Sequence, residues 1–313
     1  MARENSDLLF AILQVTIRMR IFLLGGTGFI GSHVLQRLVE AGHEVIGLAR
    51  SETSADRLTA AGATPLLGDL RAPAEWAAKL PTVDGVIHAA SDFGDDMGPV
   101  DMALLDALLP VLGAMPKRPR FVYTGGCWLF GATGERVASE DSPFDPLPAF
   151  SETITNMRRV LEAREIDSCV VHPAMVYSGE GGVFSSFMEA MREGKPVEVI
   201  GSEQVVWPLV HADDLADLYL QVLEKAKPGS VYNGSAIDGL AVGEIVPEVA
   251  RLIGTEHPEV HIVSADLAAE RLGEWARGYA LSQRLSGHKA RAELGWKPVH
   301  QDAASLFQRA NRE

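Results

Sequence analysis

Residues Arg20-Ile21-Phe22-Leu23-Leu24-Gly25-Gly26-Thr27-Gly28-Phe29-Ile30-Gly31 decide the fold. Ile21–Leu24 is an apolar run too short for a helix, and glycine stops it. Residues 29–41 then carry apolar side chains at Ile30, Val34, Leu35, Leu38 and Val39, which is helical spacing. The turn between strand and helix reads G-x-x-G-x-x-G, with Gly26 extra. Gly25 permits the tight turn, Gly28 lets backbone approach a pyrophosphate, and Gly31 lets helix and strand pack closely. The free N–H groups of the helix N-terminus then face the phosphates. A glycine triplet by itself also fits an ordinary tight turn. Its position at the first strand–helix junction is what points to a dinucleotide.

Outward from this turn the alternation continues. Strands are predicted at 44–48, 64–67, 85–89, 120–124 and 168–172. Ser51 offers an N-cap for a helix ending near Gly62, and further helices fall at 99–113 and 151–164. Strands apolar on both faces, separated by helices, predict an α/β fold: a Rossmann-type doubly wound parallel sheet. A smaller C-terminal α/β substrate lobe is expected beside it. Its pieces are an amphipathic stretch at Phe184–Met191, a strand near Val197–Ile200, and helices at Val242–Ile253 and Ala265–Tyr279. The expected division is an N-terminal extension over 1–18, a nucleotide-binding domain over 19–173, and a lobe over 174–208 and 235–313. Residues 209–234 return to the nucleotide-binding domain, with Tyr232-Asn233-Gly234 at its edge.

Acidic residues outnumber basic ones, 42 to 28, for a formal charge of −14. This argues against nucleic acid or an anionic membrane as partner, since both call for Lys and Arg. No apolar run reaches the roughly 18 residues of a membrane span. Two cysteines, Cys127 and Cys169, make no disulfide framework and point to the cytoplasm. Leu8–Ile17 is apolar, but Glu4 and Asp7 precede it and no small-residue cleavage site follows, so a secretory signal is not expected. Residues 1–18 read as an upstream extension or a mis-assigned start.

The second strand ends Leu48-Ala49-Arg50-Ser51. NAD sites place an acid near this point, about 20 residues past the glycines, to hold the ribose 2′-OH. Here the tip has none, and Arg50, with Ser51 or Arg57, suits a 2′-phosphate. NADP is therefore preferred and NAD is the second choice. Glu52 is the competing reading, although a first-turn acid also suits the helix dipole.

Several stretches together resemble the extended short-chain dehydrogenase/reductases, the NAD-dependent epimerase/dehydratase family. The resemblance runs from about Arg20 to Pro298. Gly25-Gly26-Thr27-Gly28-Phe29-Ile30-Gly31 is similar to that family's cofactor loop, and Gly68-Asp69-Leu70 to its adenine-side motif, where Asp69 would contact the base. Ile87-His88-Ala89-Ala90 is similar to the fourth-strand motif that lines the cofactor. His172-Pro173-Ala174-Met175-Val176-Tyr177 resembles the segment beside the nicotinamide. Trp207-Pro208-Leu209-Val210-His211-Ala212-Asp213-Asp214-Leu215-Ala216 resembles the lobe's strand-to-helix block, and Leu294-Gly295-Trp296-Lys297-Pro298 the C-terminal ending. The resemblance implies a cofactor contact for Gly25, Thr27, Gly28, Phe29, Ile30, Gly31, Asp69, Leu70, His88, Ala89, Ala90 and Pro173. It also implies a small-molecule substrate, and a homodimer through helices 99–113 and 151–164.

The departure lies in the chemistry. The family pairs a Ser/Thr after strand five with Tyr-x-x-x-Lys on the next helix. A phenol of pKa about 10 needs that nearby cation to act near neutrality. None of the five tyrosines here (123, 177, 219, 232, 279) has a lysine four residues on, and no lysine lies between Lys117 and Lys195. Alignment on Gly131 places Phe150 at the Tyr position, Ile154 at the Lys position and Gly126 at the Ser/Thr position. The chain thus resembles atypical subgroups that keep the fold and lose these residues.

Replacements are few. Thr124, at the C-terminal end of strand five, either orients a substrate oxygen or satisfies local backbone. Tyr177 donates a proton or packs on the ring, with packing favoured. His88 reads as a cofactor neighbour or a satisfied core residue, and Cys127 as an inert thiol. His211 and Asp213 form a candidate polar pair, although Asp213 or Asp214 better suits a helix cap. Arg158 meets an anion or belongs, with Arg159, to a solvated face. Lobe aromatics Phe184, Phe187, Trp207, Trp275 and Tyr279 line a cleft or fill the core. No cluster has metal-ligand spacing. The leading reading is an NAD(P)-dependent oxidoreductase or epimerase/dehydratase-like enzyme with nonstandard proton handling, acting on a small carbonyl or sugar-like substrate. The alternative is a non-catalytic NADP-binding sensor.

Overall fold

A computed structural model describes residues 18–91, 93–94 and 96–308. The expectation for residues 1–17 lies outside the described residues. β1 (Arg20–Leu24) leads through the glycine turn into α1 (Phe29–Glu40). β2 (Glu44–Ala49), α2 (Glu52–Ala60), β3 (Thr64–Leu67) and β4 (Gly85–His88) follow. Next come α3 (Met97–Gly113), β5 (Arg120–Thr124), the short β6 (Val137–Ala138), α4 (Ser151–Glu162) and β7 (Asp167–Pro173).

The strand alternation explains the layers. Ile21 and Leu23 point to one face of the sheet, into a core with Val34, Leu35 and Leu38 of α1. Phe22 and Leu24 point to the other, against Leu104, Leu105, Leu108 and Leu112 of α3 and Met157 and Val160 of α4. Asp96 precedes α3 without a side-chain cap bond, and Pro110 lies inside the helix. Each of those four fully buried leucines is worth about 1.5–3 kcal/mol, so packing, not capping, places α3. At α2 the cap does form: the Ser51 hydroxyl accepts the Ser54 N–H at 3.2 Å.

The remaining elements are β8 (Met175–Ser178), β9 (Gly181–Gly182), α5 (Ser185–Arg192), β10 (Val197–Ile200), β11 (Val206–His211) and α6 (Ala212–Lys225). After them come β12 (Ser230–Gly234), β13 (Ile237–Ala241), α7 (Val242–Ile253), β14 (Val260–Val263), α8 (Ala265–Leu272), β15 (Arg284–Leu285) and α9 (His288–Leu294). The main sheet has seven strands in the order β12-β7-β5-β4-β1-β2-β3, all parallel. Its order reverses between β1 and β4, the switch point where such sheets bind ligands. A second sheet, β13-β11-β8-β9, and the pair β10-β14 form the lobe. Leu209–His211 belongs to the lobe sheet, whereas α6 packs on α1 and β12 closes the main sheet beside β7.

Two expectations are corrected. The helix expected over 265–279 ends at Leu272, because Gly273 adopts φ 104° and ψ 162°; residues 274–280 form a 3-10 turn instead. The cap of α6 is neither Asp213 nor Asp214. The His211 ring accepts the Asp213 N–H at 3.2 Å. Asp214 is buried and fastens the C-terminal segment, accepting the Val299 N–H at 2.9 Å, the His300 N–H at 3.0 Å, and a 2.8 Å bond from the His300 ring.

Candidate active site

A cleft of about 400 Å³ opens across the switch point. Its walls come from the C-terminal ends of β1, β4, β5 and β7, from Phe150 and Thr153 at the start of α4, and from Tyr279 of the lobe. Sterics build the β1 wall. Gly25 holds φ 88°, and a Cβ there would sit 2.5 Å from the Ala89 carbonyl oxygen. A Cβ on Gly31 would sit 2.0 Å from the Gly25 carbonyl oxygen. Gly28 is the N-cap of α1 and supplies no side-chain cap, and the first turn of the helix holds no acid. The helix therefore presents uncapped N–H groups and its positive end, an arrangement that fits a dinucleotide pyrophosphate.

The other sequence-predicted cofactor residues fall as follows. Gly28, Phe29, Ile30, Leu70, His88, Ala89, Ala90 and Pro173 line the cleft. The Thr27 carbonyl accepts a hydrogen bond from the Arg57 guanidinium at 3.0 Å, which ties α2 to the glycine loop. Arg50 and Ser51 are exposed at the tip of β2. Asp69 is exposed, and its carboxylate accepts the Arg71 N–H at 2.8 Å.

Thr124 lines the cleft, and its hydroxyl shares a 2.6 Å hydrogen bond with the Tyr219 hydroxyl, which reaches through from α6. Tyr177 requires a correction, because it does not line the cleft. Strand alternation turns Val176 toward the cleft and Tyr177 away, to 0% exposure among Phe184, His211 and Phe307. Its hydroxyl is buried without a partner, and burial pushes its pKa far up. Cys127 lines the cleft, yet burial raises its thiol to about 12, so it stays protonated. Phe150 lines the cleft, and Ile154 packs against the core. Arg158 is exposed, away from the cleft. Phe184, Phe187 and Trp207 are core, and Tyr279 lines the cleft.

One cluster escaped the sequence reading. His88 Nε2 lies 2.7 Å from Asp101 Oδ1, and Asp101 Oδ2 accepts from the Tyr123 hydroxyl at 2.5 Å and from the Asn156 amide at 2.9 Å. Burial alone pushes the Asp101 carboxyl up, but His88, Tyr123 and Asn156 outweigh it and hold the pKa below the ordinary value. Burial, then Asp101, drives the Tyr123 phenol well above its ordinary value. The signal was present: Asp101 falls on the same helical stripe as Leu104, Leu105, Leu108 and Leu112, an acid on a core-facing row.

The sheet order, the glycine junction and a cleft across the switch point define a Rossmann-type doubly wound protein. Residues 21–234 match the NAD dependent epimerase/dehydratase family, and the chain belongs to it. An uncharacterized protein of Schizosaccharomyces pombe is 30% identical over 90% of this chain and 96% of its own. The UDP-glucose 4-epimerase of Mycolicibacterium smegmatis is 27% identical over 90% and 94%. Among solved structures, DesIV, the dTDP-glucose 4,6-dehydratase of Streptomyces venezuelae with NAD bound, superposes with a TM-score of 0.77 at 21% identity, covering 92% of this chain and 94% of that one. No helix among the described residues is long and apolar enough to cross a membrane.

Proposed function

We infer that this chain is an NADP-dependent reductase of a small carbonyl compound. The observation that carries this reading is one cleft that brings the glycine loop and the Thr124 hydroxyl together at the strand ends. A bound reduced nicotinamide would supply the hydride. Gly25, Gly28 and Gly31 would admit the pyrophosphate, Leu70 and Ala90 would flank the dinucleotide, and Arg50 with Arg57 would meet the 2′-phosphate. Neither the fourth-strand His88 nor its partner Asp101 is free to move, since each holds the other.

The lost Tyr and Lys leave the proton to another group, since the cleft offers no activated phenol. Reducing a carbonyl makes an oxygen basic enough to draw a proton from a hydroxyl or a water. Thr124 Oγ1 would orient that oxygen and deliver the proton, with Tyr219 behind it as the next donor. The glycine-lined exit of β5 leaves room for the substrate beside it.

Two measurements test this. Calorimetric titration should find NADPH bound more tightly than NADH, and Arg50→Ala with Arg57→Ala should erase the preference. A preference for NADH would overturn the phosphate assignment. Loss of reduced-nicotinamide absorbance with a carbonyl panel tests turnover, and tight binding with no turnover would return the sensor reading.

A further inference from the structure

The proposed reduction leaves the substrate class open, and the wall opposite the glycine loop narrows it. Aromatic rings that line the cleft converge there from separate segments: Phe93 after β4, Trp128 after β5, Phe150 before α4, and Tyr279 from the turn that replaces the end of the expected helix. Trp275 of the same turn does not itself line the cleft but packs against Phe93, Trp128 and Tyr279. Trp128 lies 5.3 Å from Tyr279, 5.5 Å from Phe150 and 6.2 Å from Trp275, and Phe93 lies 5.3 Å from Trp275, centroid to centroid. Core rings would be fully enclosed. Here Phe93 is 46% exposed, and Trp128, Trp275 and Tyr279 are half-buried. Aromatic faces left open along a cavity are stacking surfaces for another ring.

Charge gives a second, independent observation. Among the described residues no lysine or arginine lines the cleft, and the Asp101 carboxylate that does is held by His88. Two arginines of the neighbouring lobe already face acids: Arg277 reaches Asp266 at 2.5 Å and Glu274 at 2.8 Å, and Arg271 reaches Glu198 at 3.1 Å. With the α1 N-terminus taken by the dinucleotide, a nucleoside diphosphate sugar would bring a second diphosphate to a cleft with no cation to meet it, a costly burial. Space agrees with charge. About 400 Å³ is near the low end of the roughly 300–1,000 Å³ typical of ligand sites, and a nicotinamide must share it.

We propose that the substrate is an uncharged aryl aldehyde or ketone of one or two rings, stacked on Trp128 with its carbonyl oxygen at Thr124. This rests on the reductase reading above. The carbonyl carbon gains a hydride from the reduced dinucleotide, the π pair moves to oxygen, and oxygen gains a proton. The products are an alcohol and the oxidised dinucleotide.

Calorimetry on the full chain, with and without saturating NADP⁺, tests the proposal with four probes and a control. The probes are 2-naphthaldehyde, methyl 4-formylbenzoate, 4-carboxybenzaldehyde and UDP-glucose, and the control is cyclohexanecarbaldehyde. The two neutral aryl aldehydes should bind at least about tenfold more tightly than the other three. Equal or tighter binding of UDP-glucose or the carboxylate would overturn the charge argument, and an equal cyclohexyl aldehyde would overturn the stacking argument. Absence of NADP⁺ binding would sink the reductase reading alone, because the probe order on the free chain still decides the substrate class. Phe93→Leu, at an exposed ring that lines the cleft, should weaken the aryl aldehydes by about tenfold and leave NADP⁺ affinity unchanged. An unaltered aryl affinity in that variant would remove the aromatic wall from recognition.

Discussion

At the glycine loop, backbone lies against backbone. A Cβ on Gly31 would sit 2.0 Å from one carbonyl oxygen, and a Cβ on Gly25 2.5 Å from another. Across the cleft, at Gly126, a Cβ would meet nothing within 4 Å, and the residue is extended at φ 174°. There the wall consists of side chains from well-separated segments. At Gly25 and Gly31 the first wall admits glycine alone. At Gly126 the second admits larger side chains, so it can change chemistry there while the fold stays fixed. That difference explains how a member of this family can keep its nucleotide-binding geometry and still lack a Tyr-x-x-x-Lys pair.

The largest expected effect tests the rigid wall. Gly31→Ala should lose dinucleotide binding in calorimetry and cost about 1–3 kcal/mol of stability in denaturant unfolding, since the methyl group has no space to enter. Gly126→Ser in the same assays should stay within about 0.5 kcal/mol of the parent. Wild-type dinucleotide affinity in Gly31→Ala, or collapse of Gly126→Ser, would break the contrast between the walls.

The next effect belongs to the permissive wall. Thr124→Val keeps the shape and removes the hydroxyl. On an aryl aldehyde it should lower kcat by about 100-fold with little change in KM, the usual scale for a positioned proton donor. Thr124→Ser should recover most of the rate. A change confined to KM would make Thr124 a binding contact only. The variant also leaves the Tyr219 hydroxyl short of a partner, a stability loss of about 1 kcal/mol.

The same contrast decides what could be read in advance. The sheet, its helices and the glycine junction follow from strand runs, helical periodicity and sterics, all of which are local. The lysine-free interval between Lys117 and Lys195 also showed, from sequence alone, that the family's Tyr-Lys pair is absent. Of the rings in the aromatic wall that line the cleft, the sequence marks only Tyr279 as a candidate. Its meeting with Trp128 was not legible, because the two come together only after Gly273 ends a helix that periodicity extends to Tyr279. Tyr177 was placed beside the nicotinamide by its segment, yet pleating sends alternate residues to opposite faces, and its neighbour Val176 took the cleft. His88 and Asp101 meet between a strand and a helix, and only the acid on a leucine stripe hinted at it.

A third effect arises beneath the permissive wall. His172 lies under Gly125 and Gly126; its Nδ1 accepts the Gly126 N–H at 3.2 Å, and Nε2 is buried without a partner. Burial lowers its pKa from 6.5 to about 4. The folded state therefore resists the proton that the unfolded state accepts. Its contribution is whole above pH 6.5 and is lost as pH falls toward 4. Linkage puts the loss between pH 7 and pH 5 at about 2 kcal/mol. Denaturant unfolding at the two pH values should show it, and His172→Asn should flatten that limb. His211, likewise lowered to about 4 by burial and then by His300, loses stability in the same direction, so the variant keeps a residual slope. An unchanged limb in His172→Asn would assign the acid sensitivity elsewhere.

The smallest effect concerns Tyr177→Phe. In the family segment this residue borders the nicotinamide, and a role in proton transfer would make its loss severe. In this fold the phenol is 0% exposed and its hydroxyl meets no partner. Burying an unpaired hydroxyl is unfavourable, so removing it should leave stability unchanged or raise it by up to about 1 kcal/mol. The ring still packs against Phe184 at 4.9 Å, so no cavity opens. Turnover on an aryl aldehyde should match the parent at every pH. A loss of tenfold or more, on the scale of about 1.4 kcal/mol, would mean that the strand turns Tyr177 toward the cleft during reaction. The permissive wall would then include a residue that packing now assigns to the core.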